Sequence, residues 1–303
     1  MKRLSLPAFR RARDFLHGAA RPLERELFAH EFEGGPAESA LRALDAFRNP
    51  DGGYGHGLEP DLRMPGSSVL GTLSALDLMR ELGCDAREPR VRGAIGWLVG
   101  RFDPALPGWR YVGPEAEDSP HAPHWKWQLH QPGGPWDHVL NPGGRGLALL
   151  SHWPGLAPPG LRETLERAFV ARVTQAVARP AELGVDTLFY AAQVENPTTR
   201  AALRGAAVAA VARDPAQWSG YSAKPLRLAP TPDSPLAECL ARETAANLDW
   251  EIDQQSTDGS WQPNWTWQGQ FPAAWEGARR EWQGELTLRA LRSLRAFGRL
   301  EAA

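Results

Sequence analysis

One arrangement recurs along this chain and limits what it can fold into. A helix of apolar period runs into a turn rich in Asn, Gln or Asp, and the turn ends on glycine beside an aromatic residue. Three copies are clear: Leu41–Gly55 (LRALDAFRNPDGGYG), Val91–Tyr111 (VRGAIGWLVGRFDPALPGWRY) and Leu248–Trp261 (LDWEIDQQSTDGSW). Ala209–Tyr221 (AAVARDPAQWSGY) is a weaker one. Glycine reverses the chain where a positive φ is needed. The aromatic that follows can fold back over the helix end, and the polar side chains can cap orphan backbone groups of neighbouring helices. Turns of this kind staple successive helical hairpins.

The segments between the turns read as helices. Ala37–Arg48 places Ala40, Leu41, Leu44 and Phe47 on one face and stops at Asn49-Pro50-Asp51-Gly52-Gly53. Ser67–Leu82 opens on serine caps, closes at Gly83, and is apolar on more than one side. Pro89–Arg101, Gly144–His152, Leu161–Arg179, Leu183–Val194, Pro197–Arg213, Pro235–Asp249 and Gly284–Phe297 follow the same period. Asn196-Pro197 and Ser234-Pro235 have the form of a cap followed by proline at the first helical position. The expectation is an all-α chain of about ten to twelve helices in hairpins. Composition shifts nowhere sharply enough to mark a linker, so residues 1–303 read as one domain. Residues 1–34 would be N-terminal helices packing on it, and 110–142 a long loop without clear periodicity.

Charge and composition exclude several function classes. The balance of 34 basic against 36 acidic residues leaves no excess to attract nucleic acid or an anionic membrane. No stretch approaches the roughly 18 apolar residues of a membrane span. The start, MKRLSLPAFRRARDFLHGAARPL, lacks the apolar core of a secretory signal, so a soluble cytoplasmic protein is expected. Cys84 and Cys239 cannot build a disulfide framework and sit in helical segments, where cysteine behaves as a small hydrophobe.

Asp51-Gly-Gly-Tyr-Gly55, followed by a loop and the helix Ser67–Leu82, resembles the prenyltransferase/squalene-oxidase repeat of the terpenoid cyclase and protein prenyltransferase superfamily. Asp258-Gly-Ser-Trp261, with Gln254 and Gln255 upstream, is similar to that superfamily's QW motif, as in squalene-hopene cyclases. The stretch GGYGHGLEPDLRMPGSS, with PHAPHW and Asn141-Pro142, looks like an uncharacterised bacterial branch. The resemblance implies an α/α toroid, with inner and outer helices alternating around a cavity that holds an isoprenoid. It does not imply one reaction, because members share the scaffold and not the chemistry. The Asp-x-Asp-Asp acid of the class II cyclases, the Asp-Asp-x-x-Asp cluster of class I enzymes and the Asp-x-Cys zinc ligands of the protein prenyltransferases are all missing. If the chain is an enzyme of this type, a lyase, isomerase or transferase, its catalytic groups have been rebuilt.

Two loops hold the candidate groups. His56, Glu59 and Asp61 form a carboxylate–imidazole set able to move a proton. Asp118, His121, His124, Trp125 and Trp127 are the densest polar and aromatic segment, with Pro120 and Pro123 arguing against a helix there. For both loops the structural alternative is capping and backbone hydrogen bonding. Trp265 and Trp267 belong to a second concentration of tryptophan; they would line a π-rich cavity or simply pack as staples. Proton handling is assigned to Asp61 or Glu59 with His56, opposite His121 and His124. Ligand contact is assigned to Asp118, Trp125, Trp127, Trp265 and Trp267. A carboxyl among aromatics would have a raised pKa and could serve as an acid. No cofactor is required by the sequence, and a divalent metal at the histidines is left open without support. The expected partner is a hydrophobic, isoprenoid-like small molecule. The competing readings are a non-catalytic binding or scaffold toroid and a carbohydrate-active α/α toroid.

Overall fold

The computed structural model describes residues 1–178, 197–220 and 222–301. Among the described residues are twelve α-helices: α1 Leu6–Ala19, α2 Pro22–Glu33, α3 Ala37–Leu44, α4 Val69–Glu81, α5 Pro89–Gly100, α6 Trp127–His130, α7 Gly143–His152, α8 Leu161–Ala176, α9 Pro197–Ala210, α10 Pro225–Leu228, α11 Ala241–Asp253 and α12 Pro272–Ala296. Extended backbone among them is confined to isolated bridges, so the chain is all-helical there. The expected helix Leu183–Val194 lies outside the described residues.

Local chemistry sets most helix ends. Ser5 accepts from the Ala8 amide at the start of α1, and Ser68 from the Gly71 amide at the start of α4. Pro22 and Pro89 open α2 and α5, where the missing N–H costs nothing. Gly34 ends α2 at φ 76°. Helix α4 buries residues on every side, as its sequence requires. It packs against both α5 and α7, and α7 packs against α8.

Two boundaries depart from the sequence pattern. The helix expected from Pro235 begins at Ala241, because the Ser234 hydroxyl accepts from the Thr231 amide and closes a turn there instead of capping a helix. The helix expected from Gly284 begins twelve residues earlier, at Pro272. Its first half keeps its inner face with Ala278 and Trp282 rather than with aliphatic residues, so aliphatic period alone does not reveal it.

Two of the recurring turns, Asp51–Tyr54 and Asp258–Trp261, are equivalent atom by atom. Gly52 and Gly259 take φ 91° and 93°. Asp51 Oδ1 accepts from the Gly53 amide at 3.0 Å, and Asp258 Oδ1 from the Ser260 amide at 2.9 Å. The Tyr54 amide then donates to Thr72 Oγ1, and the Trp261 amide to Thr287 Oγ1, each at 3.0 Å. Both threonines are fully buried, on α4 and α12. The indoles supply the staple. Trp109 Nε1 donates to Leu98 O (2.8 Å), Trp218 Nε1 to Ala212 O (2.7 Å) and Trp261 Nε1 to Glu251 O (2.8 Å). Each acceptor lies at or just past the last turn of the preceding helix, where carbonyls lack the regular i+4 amide of the helix interior. Tyr54 has no ring N–H to contribute, and its buried hydroxyl, without a hydrogen-bond partner among the described residues, is pushed up to about 12 by desolvation.

The chain divides into two compact units, each assembled from separate stretches. One holds Met1–Ala43, Arg204–Thr266 and Trp275–Ala303, the other Leu44–Leu203 and Trp267–Ala274. In the first, Ala8, Ala12 and Leu16 of α1, Leu23 and Leu27 of α2, and Leu288, Leu291 and Leu294 of α12 are buried. In the second, the buried set is Leu70, Leu73 and Leu76 of α4, Val91, Ile95 and Leu98 of α5, and Leu147 and Leu150 of α7. The 110–142 stretch, expected as a long loop without clear periodicity, carries two 3-10 turns, Pro114–Asp118 and Pro123–Trp125, before the short α6.

Candidate functional site

The second unit brings Asp61, His121, His124 and Trp267 together. Backbone pairing sets the register: the Ala122 amide donates to Asp61 O (2.8 Å) and the Arg63 amide to Pro120 O (2.9 Å), with Leu62 and His121 bridged in antiparallel fashion. Asp61 is 3% exposed. Trp267 Nε1, itself fully buried, donates to Asp61 Oδ1 at 2.7 Å. Asp61 Oδ2 lies 3.8 Å from His124 Nε2, and the His124 side chain is 46% exposed. The carboxylate is thus held on one oxygen by an indole inside the fold, while its other oxygen faces an imidazole that reaches solvent.

His121 is the more constrained histidine, at 2% exposure. Its Nδ1 is 2.7 Å from Ser119 O, and a carbonyl only accepts, so Nδ1 carries the hydrogen. Nε2 therefore presents a lone pair in a buried position, with no hydrogen-bond partner among the described residues. Glu117 Oε2 is 3.9 Å from it. The Phe271 ring sits 5.7 Å from the imidazole and is 43% exposed. Phe271 and Gln268 both hold positive φ (44° and 53°), an unusual backbone for side-chain-bearing residues.

The other expected site residues are placed differently. His56, at φ 53° and exposed, bonds Asn49 Oδ1 through Nε2 (2.9 Å), within the repeat turn. Glu59 is half-buried, and its carbonyl accepts from the Leu62 amide. Asp118 is exposed at the end of a 3-10 turn. Trp125 is buried, edge-on to Tyr111 at 5.3 Å and stacked with His130 at 5.6 Å. Trp127 is half-buried and walls a separate cleft of about 260 Å³. Trp265 belongs to the first unit, where it packs edge-on against Trp282 at 5.0 Å. Among the described residues, no group of three or more His, Cys, Asp or Glu side chains is arranged to hold a metal ion. No helix among them is long and apolar enough to cross a membrane.

Sequence reasoning missed two buried histidines that follow this site in the chain. His130 Nε2 donates to His124 O (3.0 Å), and His138 Nε2 to His130 O (3.1 Å). Both rings are buried; His130 packs against Trp125 and Trp136, His138 lies 5.6 Å from His130, and among the described residues each leaves Nδ1 without a hydrogen-bond partner. Desolvation lowers the His130 pKa, and it brings His138 down to about 4, with the His130 charge adding to the effect. The signal was present in the crowding of four of the eight histidines between 121 and 138. Two further side chains, Tyr111 and Trp136, donate to the Asn141 side chain and carbonyl, next to the cis Asn141–Pro142 bond.

Comparisons with protein-family models, with curated proteins and with solved structures find no match for this chain.

Proposed function

We propose that this chain is a stapled helical-repeat protein of the terpenoid-cyclase type, an α/α toroid that binds a hydrophobic, isoprenoid-like ligand and transfers a proton to it from Asp61. The observation that carries the reading is the buried Asp61 carboxyl with its Oδ1 fixed by the Trp267 indole and its Oδ2 turned to His124. A carboxyl shielded from water and fixed in orientation is suited to act as an acid on an apolar substrate. In the protonated form, Asp61 gives its proton to a carbon–carbon double bond of the ligand and is left as carboxylate. His124, open to solvent, then returns a proton to Oδ2. The present gap of 3.8 Å is too long for a hydrogen bond and is closed by a small rotation or one bridging water. His121 Nε2 accepts a hydrogen from a polar end of the ligand or takes up the proton released at the end of the reaction.

The equivalent turns at Gly52 and Gly259 support the repeat-built scaffold on which the reading rests. Asp61→Asn keeps an acceptor for the indole and removes the acid. The variant is expected to fold and to bind ligand while losing conversion, measured by chromatography of the extracted ligand before and after incubation. Conversion at the wild-type rate by Asp61→Asn would remove Asp61 from the mechanism. If neither protein binds an apolar ligand, the non-catalytic scaffold reading takes its place.

A further inference from the structure

The cleft walled by Trp127 has unspent hydrogen-bonding groups of both kinds, and it does not involve Asp61. It is an open cleft of about 260 Å³ in the second unit, between the start of α4, the end of α5 and the segment 110–115. Trp97 and Trp127, both half-buried, offer indole surface. Trp97 is fixed in place, because its Nε1 donates to Asp51 Oδ2 at 2.8 Å. The charged lining is balanced: Arg101 and Arg110 against Asp103 and Glu115.

Hydrogen-bond accounting shows what is left over. Arg110 Nη1 is paired with Asp103 Oδ2 at 3.0 Å, but its buried Nε has no acceptor among the described residues. Arg101 stacks over the Trp97 ring at 4.9 Å and, among the described residues, its guanidinium forms no hydrogen bond. The Trp127 indole N–H and the Glu115 carboxylate are likewise without a hydrogen-bond partner there. Gly113 makes room for that carboxylate, since a Cβ at 113 would come within 2.3 Å of Glu115 Oε2.

We propose that this cleft binds a small, neutral, polyhydroxylated ring, a monosaccharide or cyclitol. An anion would meet the Glu115 carboxylate, and an apolar molecule would strand the Arg110 Nε and Glu115 groups at a desolvation cost. Each hydroxyl of a polyol both donates and accepts, which suits a lining with spare groups of both kinds. The C–H face of such a ring packs on indole. The cleft, about 260 Å³ and open on one side, has room for one such ring between the two indoles. This assignment is independent of the Asp61 reading and survives its failure.

The test is isothermal titration of the full chain with D-glucose, D-galactose, N-acetyl-D-glucosamine and myo-inositol, with pyrophosphate and farnesol as contrasting probes. Saturable binding of at least one of the four rings is expected. Glu115→Gln and Trp127→Ala are each expected to weaken it by about tenfold or more, the loss of a charge-assisted hydrogen bond or of the stacking surface. Glu115 is exposed, so its replacement leaves the fold intact. In indole ¹H–¹⁵N spectra, the resonance that disappears in Trp127→Phe should be among those shifted by the ring. No saturable response to any of the four rings overturns the proposal. So does tighter binding of pyrophosphate or farnesol in this cleft, or ring affinity unchanged in both variants.

Discussion

Replacing Thr72 or Thr287 by valine exchanges one hydroxyl for a methyl group of nearly the same size. Both positions are fully buried, so solvent cannot take over the lost role. In each case the hydroxyl accepts the backbone N–H of the aromatic residue that ends a repeat turn, Tyr54 or Trp261, at 3.0 Å. Valine leaves that N–H buried and unsatisfied, a cost of about 1–3 kcal/mol. For a chain of this size, at about 2 cal/mol/K of unfolding entropy per residue, that lowers the unfolding midpoint by roughly 2–5 °C. Thr287 additionally donates to Gln283 O, so its replacement is expected to fall toward the upper end. The two threonines share no partner, and the losses should add in the double variant. Thermal unfolding followed by far-ultraviolet circular dichroism measures both. If Thr72→Val and Thr287→Val unfold at the wild-type temperature, the turns are not the staples argued above. If only one matters, their equivalence fails.

Three further outcomes follow from the same structure. Gly259→Ala should cost well over the ~1–2 kcal/mol of a left-handed conformation alone, because its Cβ would lie 2.3 Å from the Arg11 carbonyl carbon. Gly34→Ala, at φ 76° with open space around the new methyl, should cost only that conformational amount, and chemical denaturation separates the two. His138 is held neutral, near 4 against an ordinary value of 6.5, so the unfolded chain binds more protons between those limits. Stability contributed by this residue is complete above pH 6.5 and is lost as pH falls toward 4, by an amount on the order of 3 kcal/mol. His138→Gln, which keeps an amide donor for His130 O, should flatten that slope in urea titrations across pH 4–7. An unchanged slope would assign the acid sensitivity to other groups.

The legible and illegible parts of this protein differ in range along the chain. The turns at Asp51–Tyr54 and Asp258–Trp261 could be read because glycine, an acidic side chain and an aromatic residue act within a few positions of one another. Asp61 and His121 could be picked out as chemistry-bearing residues in polar, aromatic loops. Their pairing could not, since the partner holding Asp61 is Trp267, 206 residues away. The same distance problem hid the Trp97–Trp127 cleft, whose walls come from α5 and from the start of α6. Trp127 was identified as a ligand contact, but its companions Arg101 and Arg110 belong to segments read only as helix and loop. The buried pair His130 and His138 escaped because each ring bonds a backbone carbonyl, and sequence pattern carries no record of carbonyl positions. The early start of α12 escaped because alanine and tryptophan, not leucine, mark its buried face.

The account depends most on an apolar ligand meeting Asp61. Mass spectrometry of the organic extract of the 303-residue chain, purified without detergent, tests this directly. The expected result is a polyprenyl-type compound in amounts stoichiometric with folded protein. Folded protein yielding no such compound, and taking up none when farnesol or a longer polyprenol is supplied, would contradict it.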